Sequence, residues 1–293
     1  PPSHTANNAI LNNAVYGNAG VGIHSVDAQA YGNTIYGNLL HTNGTNATDN
    51  NPTTPNQWDD GSSVGNMWDD CPANAPPYPI PGTAGAVDNY PNCVLSAVWV
   101  DDDYTSTTPG WGSDRFDKIQ DGINAVADYG TVYVLPGIYT ENLVIPKSLT
   151  LSCASGGGAT VYPATSDVQG SAPTKCEGPS FTGSQMVVVQ ADDVTIEHCI
   201  FDGDNPNLTS GEVVNGADID ARNGIIVDYT SGDYSNLEVR YCTVKNIFFR
   251  GIYPAADGSG HHIHHNTVDN VDGCDDQSAG VMFYGASGTA NDN

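Results

Sequence analysis

Basic side chains are scarce in this chain: 8 Lys and Arg stand against 34 Asp and Glu in 293 residues, for a formal charge of -26. Phosphate backbones are held by clustered Lys and Arg, so nucleic acid is excluded as a partner and anionic membranes are disfavoured. Charged residues make up only 14% of the chain, so most of its polarity comes from Asn, Gly, Ser and Thr together with Asp. Leu, Lys, Glu and Arg, the strong helix formers, are too few for a helical protein. No apolar run is long enough to span a bilayer, which argues against membrane insertion. No signal peptide is visible, so an exported protein would be represented here by a mature form or a fragment. No Cys-x-x-Cys occurs, which removes zinc ribbons and haem attachment.

What is present points to strands and turns. Gly 33, Pro 18 and Tyr 15 are residues that punctuate turns or favour sheets. Seven scattered cysteines suggest an oxidising compartment, hence an extracellular or cell-surface location. Cys71 and Cys93 flank a Pro-rich loop, and Cys153 and Cys176 flank a Gly/Ser/Pro-rich excursion. Both pairs read as loop staples. Cys199, Cys242 and Cys274 leave an odd count: one further bridge, assigned to Cys199 and Cys242, competes with burial as small hydrophobes. Asn43, Asn46 and Asn207 begin N-x-S/T sequons in polar stretches, where glycans could attach.

Internal self-similarity is the strongest signal. Ile10-x-x-Asn13-x-Val15 compares with Ile196-x-x-Cys199-x-Phe201, Val239-x-x-Cys242-x-Val244 and Ile263-x-x-Asn266-x-Val268. Between these copies fall Gly22-Ile23, Gly224-Ile225, Gly251-Ile252 and Gly280-Val281. Gly224 and Gly251 lie 27 residues apart, and Val244 and Val268 lie 24 apart. Short strands separated by Asn, Cys or Gly bends, repeated at one coil per period, predict an all-β right-handed parallel β-helix. One coil cannot bury its own apolar face, so the fold requires several stacked coils.

Residues 98–151 differ in texture. A strand Val98-Trp99-Val100 and an acidic loop Asp101-Asp102-Asp103 precede a helix expected over about 115–129, capped by Asp114 and ended by Gly130. Phe116, Ile119, Gln120 and Ile123, then Val132, Val134, Pro136, Gly137, Tyr139, Glu141, Asn142, Ile145, Lys147 and Ser148, follow a fixed order. That run resembles the opening of β-helix domains in the pectate-lyase-like superfamily, with Gly122 where Ala is common. The resemblance implies a helix that covers the N-terminal end of the coil stack. Asn56-x-Trp58-Asp59-Asp60, Gly65-Asn66-x-Trp68-Asp69-Asp70 and Asp88-Asn89-Tyr90-Pro91 are similar to the closing segment of β-helices in archaeal and bacterial cell-surface proteins. That likeness implies a structural cap with tryptophans over the last coil.

The expected layout is therefore terminal coils over 1–40, a closing cap or linker over 41–96, and a second β-helix over 97–293 with its own cap over 97–130. An open final coil facing an open first coil predicts copies that join head to tail, a contact that propagates rather than closes. The function this favours is a non-catalytic structural protein: a filament subunit, sheath or surface-layer element. The alternative is a carbohydrate-active β-helix, a polysaccharide lyase, glycoside hydrolase or glycan-binding adhesin, with extracellular polysaccharide as partner.

Candidate chemistry is diffuse. Asp101, Asp102 and Asp103 offer hard oxygens for calcium, as do Asp59-Asp60, Asp69-Asp70 and Asp275-Asp276. The competing reading is a turn whose carboxylates cap backbone N–H groups. In the run His261-His262-Ile263-His264-His265, alternate residues of a strand share a face, so His262 and His264 pair toward a transition metal. Arg250, Asp257 and these histidines form the best catalytic cluster, although no paired-carboxylate hydrolase signature accompanies them. Tyr104, Trp111, Tyr229, Tyr234 and Tyr253 could stack on sugars.

Overall fold

The computed structural model describes every residue except 1–4, 27–28, 42, 52–54, 70, 72–75, 94, 113, 157, 177–181, 256 and 275–277. It divides into two compact units, residues 1–96 and 97–293. Both are parallel β-helices.

In the second unit an eight-stranded sheet runs Arg115–Phe116, Leu95–Val100, Val126–Val134, Leu149–Cys153, Thr195–Glu197, Glu238–Arg240, His261–His264 and Gly288–Asn291. Each coil after the first two strands contributes one strand. Side chains alternate across a strand, so one residue in two faces the interior. Leu151, Ile196, Val239 and Ile263 are in register and fully buried, forming a single inward column. A nine-stranded sheet forms further walls, with the long strand Thr243–Tyr253 joining its parts. There Phe201, Val244 and Val268 align, and Ile225, Ile252 and Val281 align. These are the residues that the repeats place at equivalent positions.

The first unit has the same construction. Ile10 pairs with Ile35, Val15 with Leu40 and Ile23 with Ala47, each in parallel strands. The second coil continues past residue 40 through Thr45–Asp49, so coil structure extends into the stretch expected to be only cap or linker. Trp58 and Trp68 are fully buried, and Trp68 stacks on Tyr78 with ring centroids 4.1 Å apart. The Asp49 carboxylate accepts from Asn51 N, Asn56 N, Asn56 Nδ2 and Trp58 Nε1. Asp88 likewise accepts from Trp68 Nε1 and Asn66 N.

Asparagine ladders tie successive coils. Asn8, Asn33 and Asn56 form one and Asn13, Asn38 and Asn66 another: each Oδ1 accepts from the backbone and side-chain N–H of the preceding Asn. Each buried amide so used satisfies bend peptides that no strand ladder reaches. In the second unit the bend residues His198, Tyr241, His265 and Asp292 take φ of 61°, 55°, 55° and 55°, the left-handed conformation that turns the chain into the next wall.

The helix is shorter than expected, Ile119–Ala125, and Asp114 does not cap it. Its first N–H groups are taken by a residue from the following coil: Glu141 accepts from Ile119 N at 2.8 Å and Gln120 N at 2.9 Å. Gly130 falls inside the strand Val126–Val134 rather than ending the helix, because the helix ends at Ala125 and the chain extends at once.

Cysteine pairing departs from the loop-staple expectation. Cys153 bonds Cys199, not Cys176, and Cys176 bonds Cys274. Cys242 is a free buried thiol, not a bridge partner of Cys199. The reason is geometric. Cys153 and Cys199 occupy the same bend of successive coils, and their Cα atoms lie 5.0 Å apart. Cys71 is disulfide-bonded, and the Cys93 side chain lies outside the described residues.

Candidate functional site

The eight-stranded sheet turns two columns of polar side chains outward, flanking the buried Ile196–Val239–Ile263 column. Register places Thr195, Glu238, His262 and Thr289 in one, and Ser152, Glu197, Arg240, His264 and Asn291 in the other. Glu238 of one coil therefore lies beside His262 of the next, and Arg240 beside His264. Parallel strands in register bring these pairs together without any loop.

The side chains converge. Glu238 Oε1 lies 3.0 Å from His264 Nε2 and 3.9 Å from His262 Nδ1. One ligating atom from each of Glu238, His262 and His264 falls within 4.8 Å of the others, the only such trio among the described residues. The two imidazoles stack with centroids 4.0 Å apart. His264 Nδ1 meets His265 Nδ1 at 2.7 Å, so one of those nitrogens carries the shared proton. Arg240 is held mainly by Glu197, at 2.7 Å from Nη2 and 2.9 Å from Nε, and touches Glu238 Oε1 at 3.3 Å through Nη1. Burial pushes the Glu197 carboxyl up, but the Ser152 hydroxyl and Arg240 outweigh it and hold the group below the usual carboxylate range. Burial pushes the neighbouring His261 down, and its Nδ1 accepts from Leu237 N–H, so it stays neutral beneath the sheet.

The structure brings His262 and His264 to one face, as strand alternation requires. Sequence reasoning missed Glu238. The signal was present in the repeats: aligning Val239-x-x-Cys242 with Ile263-x-x-Asn266 puts Glu238 against His262 and Arg240 against His264.

Other candidates separate. Arg250 belongs to the nine-stranded sheet, where its guanidinium lies 3.6 Å from the Phe249 ring centre and Nε faces Met282 Sδ. The histidines His261, His262 and His264 stand on the eight-stranded sheet, and Asp257 is exposed. Arg222, fully buried, lies 4.6 Å from the same Phe249 ring and donates to the carbonyls of Val168 and Lys175. Carboxylates of the acidic loops accept from backbone N–H groups: Asp101 from Asp103 N and Asp60 from Ser62, Ser63 and Val64 within their own turns, and Asp102 from the distant Ile138 N. Asp70, Asp275 and Asp276 lie outside the described residues. Tyr229 and Tyr253 belong to an apolar cluster with Val188 and Ile226 rather than to an open stacking surface.

Two of the three sequons are used internally. Asn46 is buried with Nδ2 on Asp69, and Asn43 donates Nδ2 to Val15 O and Asn46 Oδ1. Asn207 is exposed.

Stacked parallel coils and their bend ladders define a parallel β-helix protein. Residues 3–72 match the family model described as "Periplasmic copper-binding protein (NosD)", a β-helix family; the match covers about a quarter of the chain. No curated protein and no solved structure matches the chain. Among the described residues, the matched segment supplies no trio of metal-ligating side chains; that trio lies beyond it. Among the described residues no helix is long and apolar enough to cross a membrane.

Proposed function

We infer that this chain is an exported, non-catalytic structural protein whose coil stack builds a head-to-tail filament, sheath or surface-layer element. Oxidised Cys153–Cys199 and Cys176–Cys274 support an oxidising compartment, the periplasm or the cell exterior. The family matched by residues 3–72 is itself described as periplasmic. The pectate-lyase-like character of residues 116–148 enters this reading as likeness of fold, and fold does not carry an activity.

The observation that carries the structural role is the repetition of one contact set from coil to coil. Asn266 Oδ1 receives the Cys242 N–H, and Asn293 Oδ1 receives Asn266 N and Nδ2 while Asn293 donates to Ile263 O. Strands Glu238–Arg240, His261–His264 and Gly288–Asn291 pair in parallel in the same register. Contacts that repeat identically between coils can also repeat between coils of two copies, and such a joint propagates.

Negative-stain electron microscopy and sedimentation of the chain, with and without EDTA, test the reading. Filaments with a regular axial repeat support it, and loss of them in EDTA would place a divalent cation in the joints. Monodisperse short rods at high concentration overturn it, and a screen of acidic and neutral polysaccharides for cleavage or binding then follows.

A further inference from the structure

We propose that Glu238, His262 and His264 form a binding site for a divalent transition-metal ion, Zn²⁺ or Cu²⁺, on the outer face of the eight-stranded sheet. None of the three lies in the segment that matches the copper-binding family, so the site is independent of that likeness. It is also independent of the filament reading.

The donor set selects the metal class. Two imidazole nitrogens and one carboxylate suit borderline ions such as Zn²⁺ and Cu²⁺ and discriminate against Ca²⁺ and Mg²⁺, which take oxygen ligands. Metal–ligand bonds of about 2.0–2.2 Å put ligand atoms roughly 3–3.5 Å apart. Glu238 Oε1 and His264 Nε2 are already 3.0 Å apart, and His262 Nδ1 is 3.9 Å from the same oxygen. The side chain of His262 is 46% exposed, so a small side-chain rotation closes that gap without moving either strand. Water completes the coordination on the open side.

The surroundings are arranged for it. With Nε2 of His264 on the metal, its proton resides on Nδ1 and is donated to His265 Nδ1, the outer hydrogen bond that fixes the tautomer of a ligating histidine. Arg240 is the one opposing group, since its positive charge and its 3.3 Å contact compete for Glu238. Glu197 keeps most of that guanidinium on the far side of the column. The net charge of -26 raises the local concentration of cations around the whole molecule.

Isothermal titration of the full, tag-free chain with ZnCl₂, in about 150 mM NaCl with excess Mg²⁺, separates this site from diffuse cation attraction. The expected result is one saturable site per chain. His262→Ala, which alters an exposed side chain, should weaken binding by roughly tenfold or more, as should Glu238→Gln and His264→Ala. Arg240→Gln should tighten it, an outcome that a merely structural Glu238–His264 pair does not produce. Electron paramagnetic resonance with Cu²⁺ should show two coupled imidazole nitrogens in the parent chain and one in His262→Ala. The proposal is overturned by the absence of saturable binding, or by unchanged affinity in a folded His262→Ala chain.

Discussion

Cys242 donates its backbone N–H to Asn266 Oδ1 at 3.0 Å, and its thiol occupies in its own coil the place that the Asn266 amide fills in the next. Cys242 Sγ faces Ile196 O at 3.6 Å and receives the Cys199 N–H, while Asn266 Nδ2 donates to Val239 O and its Oδ1 receives Cys242 N. Burial pushes the thiol up to about 12, so it remains protonated and inert.

Cys242→Asn should therefore extend the asparagine ladder by one rung and leave the melting temperature unchanged or higher. Cys242→Ala should lower stability by about 1–2 kcal/mol, through a small void and two lost polar contacts. Thermal denaturation of both variants under oxidising conditions checks the pair. A Cys242→Asn chain less stable than Cys242→Ala would show that the rung is not equivalent.

Acid should weaken the outer face of the sheet through Glu197. Its folded pKa is depressed, so its contribution is fully present above the unfolded carboxylate value and is lost as pH falls through the folded one. Glu197→Gln should flatten the dependence of the melting temperature on pH below about 4.5, near the ordinary value of a free Glu. An unaltered slope would remove Glu197 from the account.

Gly251→Ala should destabilise the second unit by about 1–3 kcal/mol, because an overfilled, well-packed wall must shift backbone or side chains. A Cβ at Gly251 would stand 2.5 Å from Gly280 O and 2.7 Å from Val268 Cγ1. Chemical denaturation measures it, with the exposed, uncrowded Gly20→Ala chain, whose backbone is not left-handed there, as the comparison.

Cys274→Ser should release the excursion carrying Cys176 from the loop carrying Cys274, two segments 98 residues apart in sequence. The expected cost is about 2–4 kcal/mol. Hydrogen exchange should rise around Val168 and Ile219, which are buried in one cluster with Cys274, and leave the column Ile196–Val239–Ile263 protected.

The fold was legible because a repeat writes the same inward residue at each coil: Phe201, Val244 and Val268 were aligned by spacing and are aligned in space. The helix cap was not, since Glu141 reaches Ile119 from 22 residues away and local rules favour Asp114. Disulfides misled for a related reason. Nearness along the chain suggested Cys153 with Cys176, whereas the stack places Cys153 against the matching bend of the next coil, at Cys199. The two histidines were visible from alternation within one strand. Their carboxylate partner required reading between strands, at a register of Glu238 to His262.

The two bridges also have a mechanical meaning. Hydrogen bonds between coils run along the stack, so a pull on the strand Gly288–Asn291 peels coils away in succession rather than all together. Unravelling from that side frees Gly288–Asn291 and then meets Cys274, whose covalent tie to Cys176 carries the load past every residue between them. The strands at His261, Glu238 and Thr195 are thereby shielded from the pull, and reduction would let the tear run through them to the coils behind.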